Sequence, residues 1–168
     1  MNNSSKQVRG LVFSALIAAI YTVLTMSLSF MGFGAVQYRV SEGLTILPFF
    51  TPYAIPGLVI GCLLSNIISP VGILDLIFGT LATLIASMIT YYIGKSNIKS
   101  KKFLAPMPPV LVNAIIIGLL LKYVAFPNVP LFILMAQVGW GELICCYGIG
   151  LPLMTIFEKN TVLKNFIS

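Results

Sequence analysis

The stretch Gln137–Gly150, QVGWGELICCYGIG, sets a single carboxylate, Glu142, near the middle of an apolar run from Val129 to Phe157. An ionisable group at membrane depth is costly, and it ordinarily faces a bundle interior or a ligand cavity. Gln137 and Trp140 stand beside it, an amide and an aromatic ring with a polar edge. Gly139 lies one helical turn before Glu142, so the two share a face, and a notch above the carboxylate is expected. Two readings are open at this point. Glu142 is either the floor of a small-molecule site or a structural acid paired with another helix.

Working outward, the whole chain resembles this stretch in character. Its 168 residues are 58% hydrophobic and 8% charged, with a mean hydropathy of +1.02. That is too apolar for a soluble globular domain and points to one membrane domain over 1–168. The net charge of +6 is clustered: Lys6 and Arg9; Lys95, Lys99, Lys101 and Lys102; Lys159 and Lys164. Basic clusters flanking apolar spans mark cytoplasmic ends, so the basicity belongs to the membrane surface and not to nucleic acid. The chain has no histidine, and Cys62, Cys145 and Cys146 lack C-x-x-C spacing, which excludes zinc and haem sites and leaves no metal or cofactor to expect. The first apolar segment, Leu11–Phe30, is longer than a signal-peptide core and reads as a retained span.

Charge also counts the spans. If Lys6/Arg9 and Lys95–Lys102 are both cytoplasmic, an even number of crossings separates them. Four crossings of about 20 residues each nearly fill the interval, and two more return Lys159 to the inside. The expectation is an all-α, six-helix transmembrane bundle with spans near 10–30, 42–50, 53–68, 74–93, 107–124 and 130–157, and with both termini cytoplasmic. Pro48, Pro52 and Pro56 interrupt the middle of the chain, so the second span is short and could be re-entrant. In the first span Ala15, Ala18 and Ala19 fall among small residues at helical spacing, suited to close packing inside the bundle or against another subunit.

Further polar residues complete the inventory. Tyr38, Arg39 and Glu42 form a cluster on the non-cytoplasmic side, and Arg39 and Glu42, three apart, could pair. Asp75 opens the fourth span, where a carboxylate in the first turn either caps the helix or serves a site. Asn113 sits in the fifth span. Without histidine, Ser-His-Asp and Cys-His catalysis are excluded, and a lone aspartate cannot form an aspartyl dyad. Gly94-Lys95-Ser96 mimics the end of a phosphate loop, but position 89 is Ile where that motif needs Gly. Any active transport must draw on a partner or an ion gradient.

Several segments, in order along nearly the whole chain, resemble the queuosine-precursor transporter (QueT) family: Arg39-Val-Ser-Glu42-Gly-Leu-Thr45-Ile-Leu-Pro48, Pro56-Gly57-Leu-Val-Ile-Gly61-Cys62, Asp75-Leu-Ile-Phe-Gly79-Thr-Leu, Pro109-Val-Leu-Val-Asn113-Ala and Val138-Gly-Trp-Gly-Glu142-Leu-Ile. The resemblance implies the substrate-binding S component of an energy-coupling factor (ECF) importer. Such a component has six helices and an outward-facing pocket, and works with a membrane coupling (T) subunit and two cytoplasmic ATPases. It also implies docking of the coupling subunit on Ala15 and Ala19, and a 7-deazaguanine ligand such as preQ1. The residues suit that ligand. A guanine-like edge offers two parallel donors that one carboxylate can accept, Glu142 first and Glu42 second. A second carboxylate, Glu42 or Asp75, could hold a cationic aminomethyl group. Trp140 and Tyr38 are candidates to stack on the bicyclic ring, Gln137 and Asn113 to supply amide hydrogen bonds, and Arg39 to orient Glu42. Two alternatives share these residues: an S component for another vitamin-like ligand, and an autonomous ion- or proton-coupled carrier.

Overall fold

The computed structural model describes residues 3–33 and 36–160, with side chains from residue 6 onward; Lys164 lies outside the described residues. Helix α1 (Asn3–Ser27) is followed by a single turn, α2 (Ser29–Gly32), and a buried 3-10 segment (Val40–Phe49). Then come α3 (Ala54–Asn66), α4 (Ile73–Lys95), the short α5 (Lys101–Leu104), α6 (Met107–Val124), α7 (Leu131–Gly148) and α8 (Gly150–Lys159). Four stretches among the described residues are long and apolar enough to cross a bilayer: Lys6–Ser27, Ile73–Lys95, Lys101–Val124 and Leu131–Lys159.

The distribution of polarity is that of a protein solvated by lipid. Leu11, Val12, Leu16, Ile20 and Val23 point outward from α1, whereas Ser14, Tyr21 and Thr25 point inward. On α4 the buried residues are Asp75, Gly79, Ala82, Thr83, Ala86, Ser87 and Thr90. Small inward residues permit close helix contact where lipid provides no hydrophobic drive between helices. The clearest case is α3 on α1. A methyl group at Gly57 would come within 2.5 Å of the Ser14 carbonyl oxygen, and one at Gly61 within 2.8 Å of Tyr21 Cβ.

The chain runs back and forth between two ends. At one end the Lys101 ammonium donates to the Gly94 and Ser96 carbonyls (2.9 and 3.2 Å), closing the C-terminus of α4. Here too Lys102 pairs with Glu158 at 2.7 Å, and Phe50 stacks on Phe157 with ring centroids 5.6 Å apart. At the other end Phe33, Gln37, Pro70, Val71, Leu121 and Phe126 line a cavity of about 310 Å³. The clusters around Lys95–Lys102 and Lys159 thus share the first end.

Three expectations are revised. The second and third spans are a ten-residue 3-10 segment and a 13-residue α-helix. Each is about 20 Å long, short of a hydrocarbon core of about 30 Å. Proline accounts for this: Pro48 lies inside the 3-10 segment, Pro52 in the turn after it, and Pro56 in the first turn of α3, where no backbone donor is required. The stretch 130–157 is not one helix but breaks at Ile149 between α7 and α8, flanked by Gly148 and Gly150 and followed by Pro152. Helix α1 stops at Ser27, where Leu28 (φ −110°, ψ 23°) leaves the helical region, instead of running to residue 30.

Candidate functional site

Where the 3-10 segment meets α1, α3, α4 and α7, with α6 packed behind α7, the structure collects the buried polar groups. The Tyr21 hydroxyl of α1 donates to Glu42 Oε1. Thr45 Oγ1 donates to the Glu42 carbonyl at 2.5 Å, and Thr25 and Ser41 share a hydrogen bond of 2.6 Å. Across from them on α7, Glu142 Oε1 accepts from Asn113 Nδ2 at 3.1 Å. The Cys146 thiol joins the two halves, lying 3.6 Å from Glu142 Oε2 and 3.7 Å from the Glu42 carbonyl oxygen. Glu42 and Glu142 are 0% and 1% exposed, so both carboxylates are fully enclosed.

A second polar group lies beside the first. Arg39 pairs with Asp75 (3.5 Å) and donates to Asn66 Oδ1 (2.6 Å), with the guanidinium over the Phe33 ring. Ser69 donates to Asp75 at 2.5 Å, and Asn66 Nδ2 donates to the Asp75 carbonyl at 3.1 Å. This lattice ties the connection before the 3-10 segment to the end of α3 and the start of α4. The Arg39 guanidinium therefore bonds Asp75 and Asn66 and not the Glu42 carboxylate, while the Arg39 carbonyl accepts from the Glu42 N–H at 2.9 Å. The backbone of Arg39 is extended (φ −85°, ψ 90°) just before the 3-10 segment, so residues 39 and 42 do not share one helical face, and Asp75 takes the guanidinium.

Three buried atoms here have no partner, Glu42 Oε2, Asn113 Oδ1 and Arg39 Nε, and a fourth, Gln137 Oε1, lies five residues before Glu142 on α7. An unsatisfied buried polar atom costs about 1–3 kcal/mol, so a concentration of them marks a place where the fold gives up stability. Three of the four are acceptors. The arrangement can receive donors and positive charge from a small molecule.

The approach from the cavity end is narrow. Gln37 lines the 310 Å³ cavity, and its backbone packs on Gly141, where a methyl group would overlap the Gln37 carbonyl. The segment carrying Gln37 thus passes directly over α7 one residue before Glu142. The notch expected above Gly139 is bordered by Ala114 of α6, which lies in ordinary contact at 3.4 Å from the position a Cβ would take there.

Of the residues singled out from sequence, Glu142, Glu42 and Asn113 come together, with Arg39 and Asp75 adjoining as an ion pair. Gln137 is on α7 one turn before Gly141, and Tyr38 is half-buried next to Arg39. Trp140 is on the opposite side of α7, 59% exposed and facing outward. Ala15 and Ala19 are exposed on α1, whereas Ala18 is buried against α3. Tyr21 was not among the residues singled out from sequence, and Cys146 was considered only as a metal ligand and set aside. Tyr21 carried a signal, since a tyrosine hydroxyl inside an apolar helix needs a hydrogen-bond partner.

The family model described as QueT transporter matches residues 11–159. A protein of Lactococcus lactis subsp. cremoris named queuosine precursor transporter QueT is 42% identical over 77 residues. The match covers 45% of this chain and 45% of that protein, less than half the length of this curated relative. No solved structure matches. With apolar helices wrapped around buried carboxylates and a match running from α1 to the end of α8, this multi-pass membrane chain belongs to the QueT transporter family.

Proposed function

We propose that the protein is the substrate-binding S component of an ECF importer, taking up a queuosine precursor of the 7-deazaguanine class, such as preQ1, from outside the cell. In this reading the chain crosses the bilayer six times, the 3-10 segment and α3 forming two short passes, and the end rich in lysine is cytoplasmic together with both termini. A membrane coupling subunit docks on the exposed Ala15/Ala19 face of α1, and two ATPase subunits supply the energy.

The observation that carries the reading is the set of unsatisfied acceptors around Glu42, Glu142 and Asn113. A deazaguanine edge presents a ring N–H and an exocyclic amine side by side. Carboxylate oxygens accept more than one hydrogen bond each, so Glu142 can take that pair while still held by Asn113. Gln137 adds an amide, and Tyr38 is the aromatic residue available for stacking, since Trp140 points away. Asp75 is engaged by Arg39 and serves to hold the connection over the site.

The test is equilibrium binding to purified full-length protein with aminomethyl-deazaguanine, its nitrile analogue, queuine, guanine and riboflavin. Deazaguanines are expected to bind and riboflavin not to bind; guanine binding as tightly as the deaza compounds overturns the substrate class. Glu142→Gln, recovered folded, is expected to lose at least tenfold in affinity, the scale of one charge-assisted hydrogen bond. Uptake by vesicles holding this chain alone would overturn the need for partner subunits.

A further inference from the structure

Resting on the deazaguanine reading above, we infer that Tyr21 is a positioning residue for ligand specificity: it fixes Glu42 so that the free oxygen Oε2 separates a cationic precursor from a neutral one.

Four charged side chains are buried among the described residues: Arg39, Glu42, Asp75 and Glu142. Arg39 is matched to Asp75. Glu42 and Glu142 have hydroxyl, amide and thiol hydrogen-bond partners, and the buried cation whose charge reaches them, Arg39, is shared with Asp75, so three buried carboxylates face a single positive charge. A carboxylate removed from water is held cheaply only with a compensating charge or a proton. A ligand bearing an ammonium group supplies the missing charge, and a neutral analogue of the same ring does not.

Glu42 is the better placed of the two acids to read that charge. Both oxygens of Glu142 already have partners, whereas Glu42 Oε2 has none. The main chain of Glu42 is held at both ends, its N–H donating to the Arg39 carbonyl (2.9 Å) and its carbonyl accepting from Thr45 (2.5 Å). What remains to be set is the rotation of the carboxylate, and Tyr21 sets it by occupying Oε1. The tyrosine is itself confined. It is 0% exposed and rests on Gly61, where a methyl group would approach its Cβ to 2.8 Å. An acceptor held in its binding orientation before the ligand arrives loses less on binding. Without the hydroxyl the carboxylate can turn towards other donors, and Oε2 is no longer aimed.

The experiment is calorimetric titration of the full-length protein with aminomethyl-deazaguanine and with its neutral nitrile analogue. Wild type is expected to favour the cation by about tenfold or more. Tyr21→Phe is expected to lose most of this ratio by weakening the cation while leaving the nitrile within about threefold. Glu42→Gln is expected to abolish the ratio. A purely structural Tyr21 would weaken both ligands equally, and that result overturns the inference. So does equal affinity of wild type for the two compounds, although the deazaguanine reading then stands. Binding of neither compound overturns that reading and the inference with it. If Tyr21→Phe does not fold, Glu42→Gln decides: a ratio preserved there overturns the inference.

Discussion

Replacing Arg39 by Met tests whether the lattice over the site holds the fold together. The guanidinium and the Asp75 carboxylate are 1% and 2% exposed and 3.5 Å apart. Removing one partner of a buried ion pair leaves the other charge uncompensated, at about 3–5 kcal/mol. For a chain of this size each kcal/mol moves the midpoint of thermal unfolding by about 2–4 °C, so a drop of about 6–20 °C is expected in detergent, followed by near-ultraviolet circular dichroism. Neutralising both partners, in Arg39→Met with Asp75→Asn, removes the orphan charge. The new amide keeps a side-chain oxygen to which Ser69 can still donate, and what persists is the Asn66 acceptor that Arg39 had satisfied, about 1–3 kcal/mol. The double variant is therefore expected to be more stable than Arg39→Met alone. If the double variant melts as low as the single one, or if Arg39→Met melts within about 2 °C of wild type, the pair is not the fastening described here.

Four further substitutions separate parts of the structure. Gly141→Ala drives a methyl group into the Gln37 carbonyl and is expected to displace the segment above Glu142, with loss of ligand affinity in titration; Gly139→Ala meets only Ala114 at 3.4 Å and is expected to bind ligand within about twofold of wild type. Trp140→Phe changes a side chain that faces outward, and the same titration is expected to show no change in affinity. Gly72→Ala puts a side chain on a residue at φ +76°, ψ −145° with open space around it, so its cost is that of a backbone conformation open essentially to glycine, about 1–3 kcal/mol, read as a lowered unfolding midpoint.

The apolar spans were legible because long hydrophobic windows survive any detail of packing, and the acids stood out because lipid makes them rare. Helical phase was present in the sequence but was not applied to Trp140, which was counted as a stacking residue. Trp140 precedes Glu142 by two residues, about 200° round the helix, which places it on the far face once Glu142 is taken as inward. The break at Ile149 had its signal in Gly148, Gly150 and Pro152. Partner choice was not legible. Arg39 and Asp75 are far apart in the chain, and nothing local distinguishes that pairing from Arg39 with Glu42. Nor does the pattern of residues 40–49 tell a 3-10 segment from a short α-helix, since apolar residues fill every side of it. Tyr21 was missed because its acceptor lies on another element.

The narrowness of the 3-10 segment has a consequence for the bundle as a whole. With three residues per turn it is a slimmer column than an α-helix, and it packs against α1, α4, α7 and α8 as well as α3. Gly43 lets Ile149 press directly against its backbone. Helices around so thin a mast draw inward until polar groups on α1 and on α7 bear on the same residue, as Tyr21 and Cys146 do on Glu42. Thickening the mast would spread its stays, and the two acids would cease to belong to one site.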